Sequence, residues 1–349
     1  MQIKDMAQRL QITPRAIRYY EEKGLIHPQK ADESGYRQFS EEDLWRLQTI
    51  ITLREVGMPI EDIGELLRQM EEGEGSLLNY LELQRSFMYD RWVELSKVIE
   101  TTEAMIERVK SDTVIDPASL FELAEGSKRL RQTRADWVDR WNFNQIAEVY
   151  DELVTRKQDG FNKHENYEEV LDAVLQAAAP MPGEWGLDVG TGTGNLAGRF
   201  VRASVKMSGF DQSLEMLRQC RRKHPEVETK IGTFFAFPFL ENRFDFAVSS
   251  YALHHLTDEQ KPLALAECRR VLKPGGRLVI ADLMFINEEE RLARLQQLEA
   301  AGDEQAVEQM RKECYANRTR MQEELTKLGF QNQAQQITPY VHVISAKLL

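Results

Sequence analysis

Cysteine is scarce in this chain: Cys220, Cys268 and Cys314 are the three among 349 residues, and no two form a CxxC pair. That excludes a disulfide framework and a cysteine-built zinc module, and it suits a reducing compartment. Long hydrophobic runs are lacking too. The longest apolar stretch of the C-terminal half, Leu278 to Ile286, is interrupted by Asp282 and falls far short of the ~20 residues that span a bilayer. No basic-then-apolar leader opens the chain, so a cytoplasmic protein with no membrane partner is expected. Positive charge is in deficit, with 45 Lys and Arg against 57 Asp and Glu and a net charge of −12. Such a balance argues against general coating of nucleic acid, while a local basic face stays compatible with it. Internal repeats and low-complexity tracts are absent as well.

What is present falls into four stretches, as expected of a length too great for one ordinary core. Residues 1–75 show short helical periods separated by turn signals. Residues 76–110 form one long helical pattern free of Pro and Gly, and 111–136 read as a polar, solvated connector. From 137 to 349 strands alternate with helices, through LDVG, MSGFD, FDFAVSS and GRLVIADL. That alternation predicts an α/β domain with a mostly parallel, doubly wound sheet.

In the first stretch a short helix carries Ile3, Met6, Ala7 and Leu10 on one face. A brief turn follows, and Thr13-Pro14 opens a second helix, Thr13 as cap and Pro14 where its missing N–H costs nothing. Arg15, Arg18, Tyr19 and Lys23 project polar ends from that helix, the arrangement that enters a major groove. Gly35 to Phe39 reads as part of a two-stranded wing, and Ser40 caps a further helix with Glu41, Glu42 and Asp43 in its first turn. Charge gives moderate support: residues 1–40 hold seven basic against five acidic groups, and 41–75 hold three against ten. A helical protein-interaction module is the competing interpretation. The runs TPRAIRYYEEKGLI, SGYRQFSEEDL and LREVGMPIEDIGELL, in that order, resemble the MerR family of winged helix-turn-helix regulators. The resemblance implies double-stranded promoter DNA as partner, Arg15, Arg18, Tyr19 and Lys23 on the recognition helix, and Tyr36 and Arg37 in the wing.

Leu78, Leu81, Arg85, Met88, Trp92, Leu95, Ile99, Thr102, Ile106 and Val109 alternate steps of three and four, and eight of the ten are apolar. That seam predicts a coiled coil. The long helix is similar to the one through which MerR-like proteins dimerise, which implies a homodimer matched to a palindrome. No Cys or His occurs in 76–136, against a metal-sensing role for that helix.

The second half turns on a glycine loop. Strand Trp185–Val189 leads into Gly190-Thr191-Gly192-Thr193-Gly194-Asn195 and a helix through Val201. A dinucleotide site wants G-x-G-x-x-G, but Asn195 stands where the third glycine would fall. Twenty-one residues beyond Gly190 a second strand ends in Asp211, an acid that can accept both ribose hydroxyls of an adenosyl group. ENRFDFAVSSYALHHL and ECRRVLKPGGRLVIADL follow, the KPGG run reading as a turn. Over 137–349 these motifs resemble class I S-adenosylmethionine-dependent methyltransferases, in particular the small YrrT-like ones and more distantly the ubiquinone and menaquinone methyltransferases. The resemblance implies a cofactor site of Asp188, Gly190, Thr191, Gly192, Gly194, Asn195, Asp211, Gln212, Thr233, Phe234 and Ser250, with Asp188 helping to position the methionine ammonium through water or backbone contacts. Related enzymes carry Gly-Asp after the third strand, whereas this chain has Gly232-Thr233, so the adenine would meet a hydroxyl without charge assistance.

Methyl transfer asks the protein mainly to align the acceptor. His254, His255 and Tyr251 follow the fourth strand where a pocket should open, with Tyr150 as a further lining residue. One of them could act as general base, or the pair could simply pack beneath the site. Sequence spacing supplies no third ligand to the two histidines, so no metal is expected. Neither an (N/D)-P-P-(Y/F) clamp nor a Pro-Cys nucleophile stands after strand four, where SSYALHH is found. A small-molecule acceptor is therefore expected rather than DNA. A regulator that is also an enzyme is the first reading; a transcription factor whose methyltransferase-like domain only senses a ligand is the second.

Overall fold

The structure, a computed structural model, describes residues 1–30, 37–71, 77–111, 125–126, 128, 132–134, 141–156 and 164–349. These form two compact units, Met1–Trp92 and Val93–Leu349. Most of the expected connector 111–136 lies outside the described residues, as does Tyr36.

In the first unit, Thr13 Oγ1 accepts from the Ala16 amide at 3.1 Å, which starts helix Pro14–Glu22 where its sequence says it should. Met6 and Ala7 of helix Ile3–Arg9 bury against Ile17, and Leu25, Ile26, Phe39, Leu47 and Ile50 complete the core. Strands β1 (Gln29–Lys30) and β2 (Arg37–Gln38) pair antiparallel as the wing. Ser40 then opens helix Glu41–Glu55 with a full capping box, its hydroxyl accepting from the Asp43 amide at 3.0 Å and its amide donating to Asp43 at 2.7 Å. Helix Leu77–Ser111 is continuous. Its Tyr80 and Leu83 join the first unit's core, while Leu78, Leu81, Leu95 and Ile99 of the predicted seam are all more than half exposed in a single chain.

The second unit is built on one large sheet. Strands β3 (Trp185–Val189), β4 (Lys206–Asp211), β5 (Glu228–Ile231), β6 (Phe244–Ser250), β7 (Leu272–Phe285), β8 (Ala316–Asn317), β9 (Phe330–Gln336) and β10 (Val341–Leu348) take the order β5-β4-β3-β6-β7-β10-β9, with β8 on β7. β3 to β7 run parallel, and β10 is antiparallel to both β7 and β9. Apolar clusters cover both faces, one around Leu171, Phe200 and Phe246 and the other around Leu187, Phe237 and Ile280. Such double burial explains the near-continuous apolar runs of the central strands. The last strand pair ends at β9, whose FQNQAQQ sequence forms one edge of the sheet. KPGG loops out of β7 as the expected turn: between Leu272 and Arg277 this strand advances five residues while β6 advances two, and Gly275 takes φ +75°. Strand order reverses between β3 and β6, and such a switch point opens a crevice at the carboxyl ends of the strands. Among the described residues no helix is long and apolar enough to cross a membrane.

Candidate functional site

A hollow open to solvent lies at that switch point. The loop from β3 forms its floor. Gly190, Gly192 and Gly194 take φ values of +71°, +53° and +84°, a path that side chains rarely follow. At Gly190 a Cβ would also come within 2.8 Å of the Ala252 Cβ and 2.9 Å of the Phe234 ring. Gly194 instead faces Cys220 of helix Leu214–Lys223, its Cβ position 2.6 Å from the sulfur. It serves the packing of that helix and does not line the hollow.

Two carboxylates hold the loop from opposite sides. Asp188 is 1 % exposed and accepts from the Thr191 hydroxyl at 2.8 Å and the Ala197 amide at 3.0 Å. Burial raises its pKa to about 7 against the pull of those two bonds, with the Asp211 charge adding to the rise. Asp188 does not line the hollow: it is buried behind the loop and braces it through those two bonds. Asp211, at the end of β4, does face the hollow. One oxygen accepts from the Gly192 amide and the other from the Ser213 amide, each at 2.9 Å, so the acid is oriented by the loop it faces.

Of the other residues expected there, Gly190, Thr191, Gly192 and Asn195 line the hollow from the loop, and Gln212, Phe234 and Ser250 from its rim. Thr233 does not line it, although its neighbours Gly232 and Phe234 do. Its hydroxyl accepts from the Phe235 amide at 3.4 Å within a local turn closed by a bridge to Ala236.

Sequence reasoning missed a polar knot beneath the loop. Lys223 donates to Asp151 at 2.5 Å, to the Asn195 carbonyl at 2.7 Å and to Thr193 at 3.1 Å. Thr193 donates to Asp151 at 2.6 Å, and the Asn195 amide reaches Asp151 at 2.9 Å and the Tyr167 oxygen at 3.2 Å. Burial works to raise the Asp151 pKa, but the bonds from Lys223, Thr193 and Asn195 win and hold it below the ordinary value. Tyr150 and Tyr167, whose phenols burial pushes well upward, complete that wall.

A second chamber adjoins the first and shares Phe143, Tyr150, Tyr251 and His255 with it. Tyr251 stands at the end of β6 with φ +50°, an uncommon conformation for so bulky a residue. His255 packs edge-on to Phe143 at 5.0 Å between ring centres. His254 lines only the second chamber and is 2 % exposed, its Nδ1 lying 2.7 Å from Asp282. Glu313, at the end of helix Glu304–Lys312, joins the two histidines there. No contiguous motif announced it.

In the first unit Arg15, Arg18 and Tyr19 are exposed on helix Pro14–Glu22 and Lys23 is exposed at its C-cap, with the Lys23 ammonium 5.8 Å from the Tyr19 ring centre. Arg37 is committed to an ion pair with Glu21 at 2.6 Å, which ties the wing to that helix.

Comparison with known proteins agrees with this division. Residues 1–70 match the MerR HTH family regulatory protein, and residues 187–276 match a methyltransferase domain. An uncharacterized methyltransferase of Oceanobacillus iheyensis is 31% identical over 208 residues, 59% of this chain and 96% of that protein. The uncharacterized methyltransferase YrrT of Halobacillus halophilus is 29% identical, again over 59% of this chain and 95% of its own length. Among solved structures, magnesium protoporphyrin IX methyltransferase from Synechocystis with bound SAH is similar at 16% identity, covering 59% of this chain and 96% of that one with a TM-score of 0.47.

Proposed function

Because the chain belongs over its C-terminal part to the family of YrrT-like uncharacterized methyltransferases, we propose that it is a DNA-binding regulator that also transfers a methyl group to a small molecule. S-adenosylmethionine is the cofactor. It supplies a methyl carbon on a sulfonium, ready for in-line displacement, so the chain's own task is to bind and align. The observation that carries the reading is Asp211, a rim carboxylate braced by the Gly192 amide in an otherwise hollow switch point. It would accept the ribose hydroxyls, with Phe234 against the adenine. The loop and the knot around Asp151 would hold the amino-acid tail.

The acceptor occupies the second chamber, reached past Tyr251 and His255, the two predicted catalytic residues common to both spaces. Trp141, Ile146 and Leu153 line it and favour a small, partly apolar molecule. Tyr251 and His255 orient that acceptor, and His254 supports them from behind.

The exposed face of helix Pro14–Glu22 reads promoter DNA through Arg15, Arg18, Tyr19 and Lys23. The exposed seam of helix Leu77–Ser111 is covered by a second copy, giving a homodimer. A mobility-shift assay on the DNA upstream of the chain's own gene, with and without S-adenosylmethionine, tests the regulator. S-adenosylhomocysteine release over a panel of small hydroxyl, thiol and amine acceptors tests the enzyme. A shift without any release would leave a ligand-sensing regulator; release without a shift would leave an enzyme alone.

A further inference from the structure

The histidine pair of the second chamber belongs to a group that methyl transfer by alignment alone does not require. We infer that His254, His255 and Glu313 form a binding site for a divalent transition-metal ion of the zinc kind, placed beside the acceptor. Each offers one ligand atom, and the three atoms lie within 4.8 Å of one another in a chamber that all three residues line. Two imidazoles and one carboxylate are a donor set that binds such ions while leaving coordination positions open.

The hydrogen bonds fix which nitrogen His254 presents. One oxygen of Asp282 accepts from the amides of Ala252 at 3.1 Å, Leu253 at 2.6 Å and His254 at 3.3 Å, and the other accepts from Leu283 at 2.7 Å. A carboxyl group receiving four backbone N–H donors acts as an acceptor, so the ring Nδ1 at 2.7 Å donates to it. The Nε2 lone pair of the neutral ring is then directed at Glu313, whose Oε2 lies 3.7 Å away. That separation is too long for a hydrogen bond. It is close to the edge of about 3.4 Å between two ligands of one tetrahedral ion with bonds of ~2.0–2.2 Å. His254 and Glu313 are 2 % and 8 % exposed, so both candidate ligands are held by the packed interior.

The ligands sit on a braced frame. The Cys314 amide donates to the His254 carbonyl at 3.2 Å. The buried Lys261 ammonium donates to the carbonyls of Leu256 at 2.7 Å and Cys314 at 3.0 Å, so the segment carrying Glu313 is tied to the segment after the histidines. Asp282 behind His254 is the carboxylate partner that metal-bound imidazoles commonly have. The open positions of the ion face the chamber beside Trp141 and Tyr251, where an oxygen, nitrogen or sulfur of the acceptor would complete it. This last step rests on the methyltransferase reading; the ion site does not.

The test uses the tag-free full chain, stripped with a chelator and free of cofactor. Zn²⁺ is titrated by calorimetry, and Co²⁺ by its visible absorption. One ion per chain is expected, with Glu313→Gln and His255→Ala each weakening it at least about tenfold and Asp282→Asn by about 10–100-fold. S-adenosylhomocysteine is titrated separately into the wild type and Glu313→Gln, and both are expected to bind it. Failure of the stripped chain to take up either ion overturns the inference, and so does binding by both ligand variants equal to wild type. An imidazolium–carboxylate pair without metal would give that result. Retained metal binding with no S-adenosylhomocysteine binding would instead remove the methyltransferase reading and leave the ion site standing.

Discussion

Replacing Asp188 by asparagine removes a titrating group from behind the cofactor loop while keeping an oxygen for the Thr191 hydroxyl and the Ala197 amide. In the folded chain burial raises this carboxyl to about 7, whereas in the unfolded chain it ionises near 3.9. The unfolded state therefore releases its proton first as pH rises. The group's contribution to stability is full below pH ~4, is lost progressively towards pH ~7, and stays lost above that. Between pH 5 and pH 8 the linkage amounts to roughly 3 kcal/mol, an order-of-magnitude figure set by that separation of pKa values. The uncharged amide of the Asp188→Asn variant mimics the protonated acid at every pH. Urea unfolding of the C-terminal unit, followed by tryptophan fluorescence at intervals from pH 5 to 8, should show the variant gaining on the wild type by about that amount. Parallel pH profiles for the two proteins would refute the idea that Asp188 is a buried, reluctantly charged anchor.

Other outcomes follow from the same geometry. Gly190→Ala forces a Cβ against Ala252 and Phe234 at φ +71°; it should lower the unfolding free energy by ~1–3 kcal/mol and abolish S-adenosylhomocysteine retention in equilibrium dialysis. Lys223→Met removes the cation that ties Asp151, Thr193 and Asn195 together. Cofactor affinity should fall about tenfold or more, and amide exchange at the loop should quicken, since each charge-assisted bond contributes about 1.5–3 kcal/mol; unchanged exchange would show the knot to be incidental. Arg18→Ala, on the exposed face of the second helix, should weaken the mobility shift by about tenfold or more. An unaltered shift would remove that helix from the DNA interface.

What the sequence made legible was whatever is contiguous. The glycine loop, Asp211 and the Thr13 and Ser40 caps each announce themselves within a few residues, because turn, cap and strand end are local demands. Asp188 and Thr233 were assigned by position in a motif, yet what each touches depends on how the neighbouring turn seals it, and that is decided by packing. Arg37 reads from sequence as a free basic group; its pairing with Glu21, sixteen residues earlier, needs the wing folded back on the helix. Asp151, Lys223 and Glu313 belong to no local pattern. Helix ends brought together by the doubly wound sheet place them, and a spacing rule for metal ligands along the chain has no view of Glu313.

The most direct test is a calorimetric titration of S-adenosylmethionine into the full chain, with Asp211→Ala alongside. One cofactor per chain, with binding lost or weakened at least about a hundredfold in the variant, is the expected result; two ribose bonds to a charged acceptor are worth about 3 kcal/mol or more. No binding to the wild type, or equal binding to both proteins, would contradict a cofactor site centred on the Asp211 carboxylate.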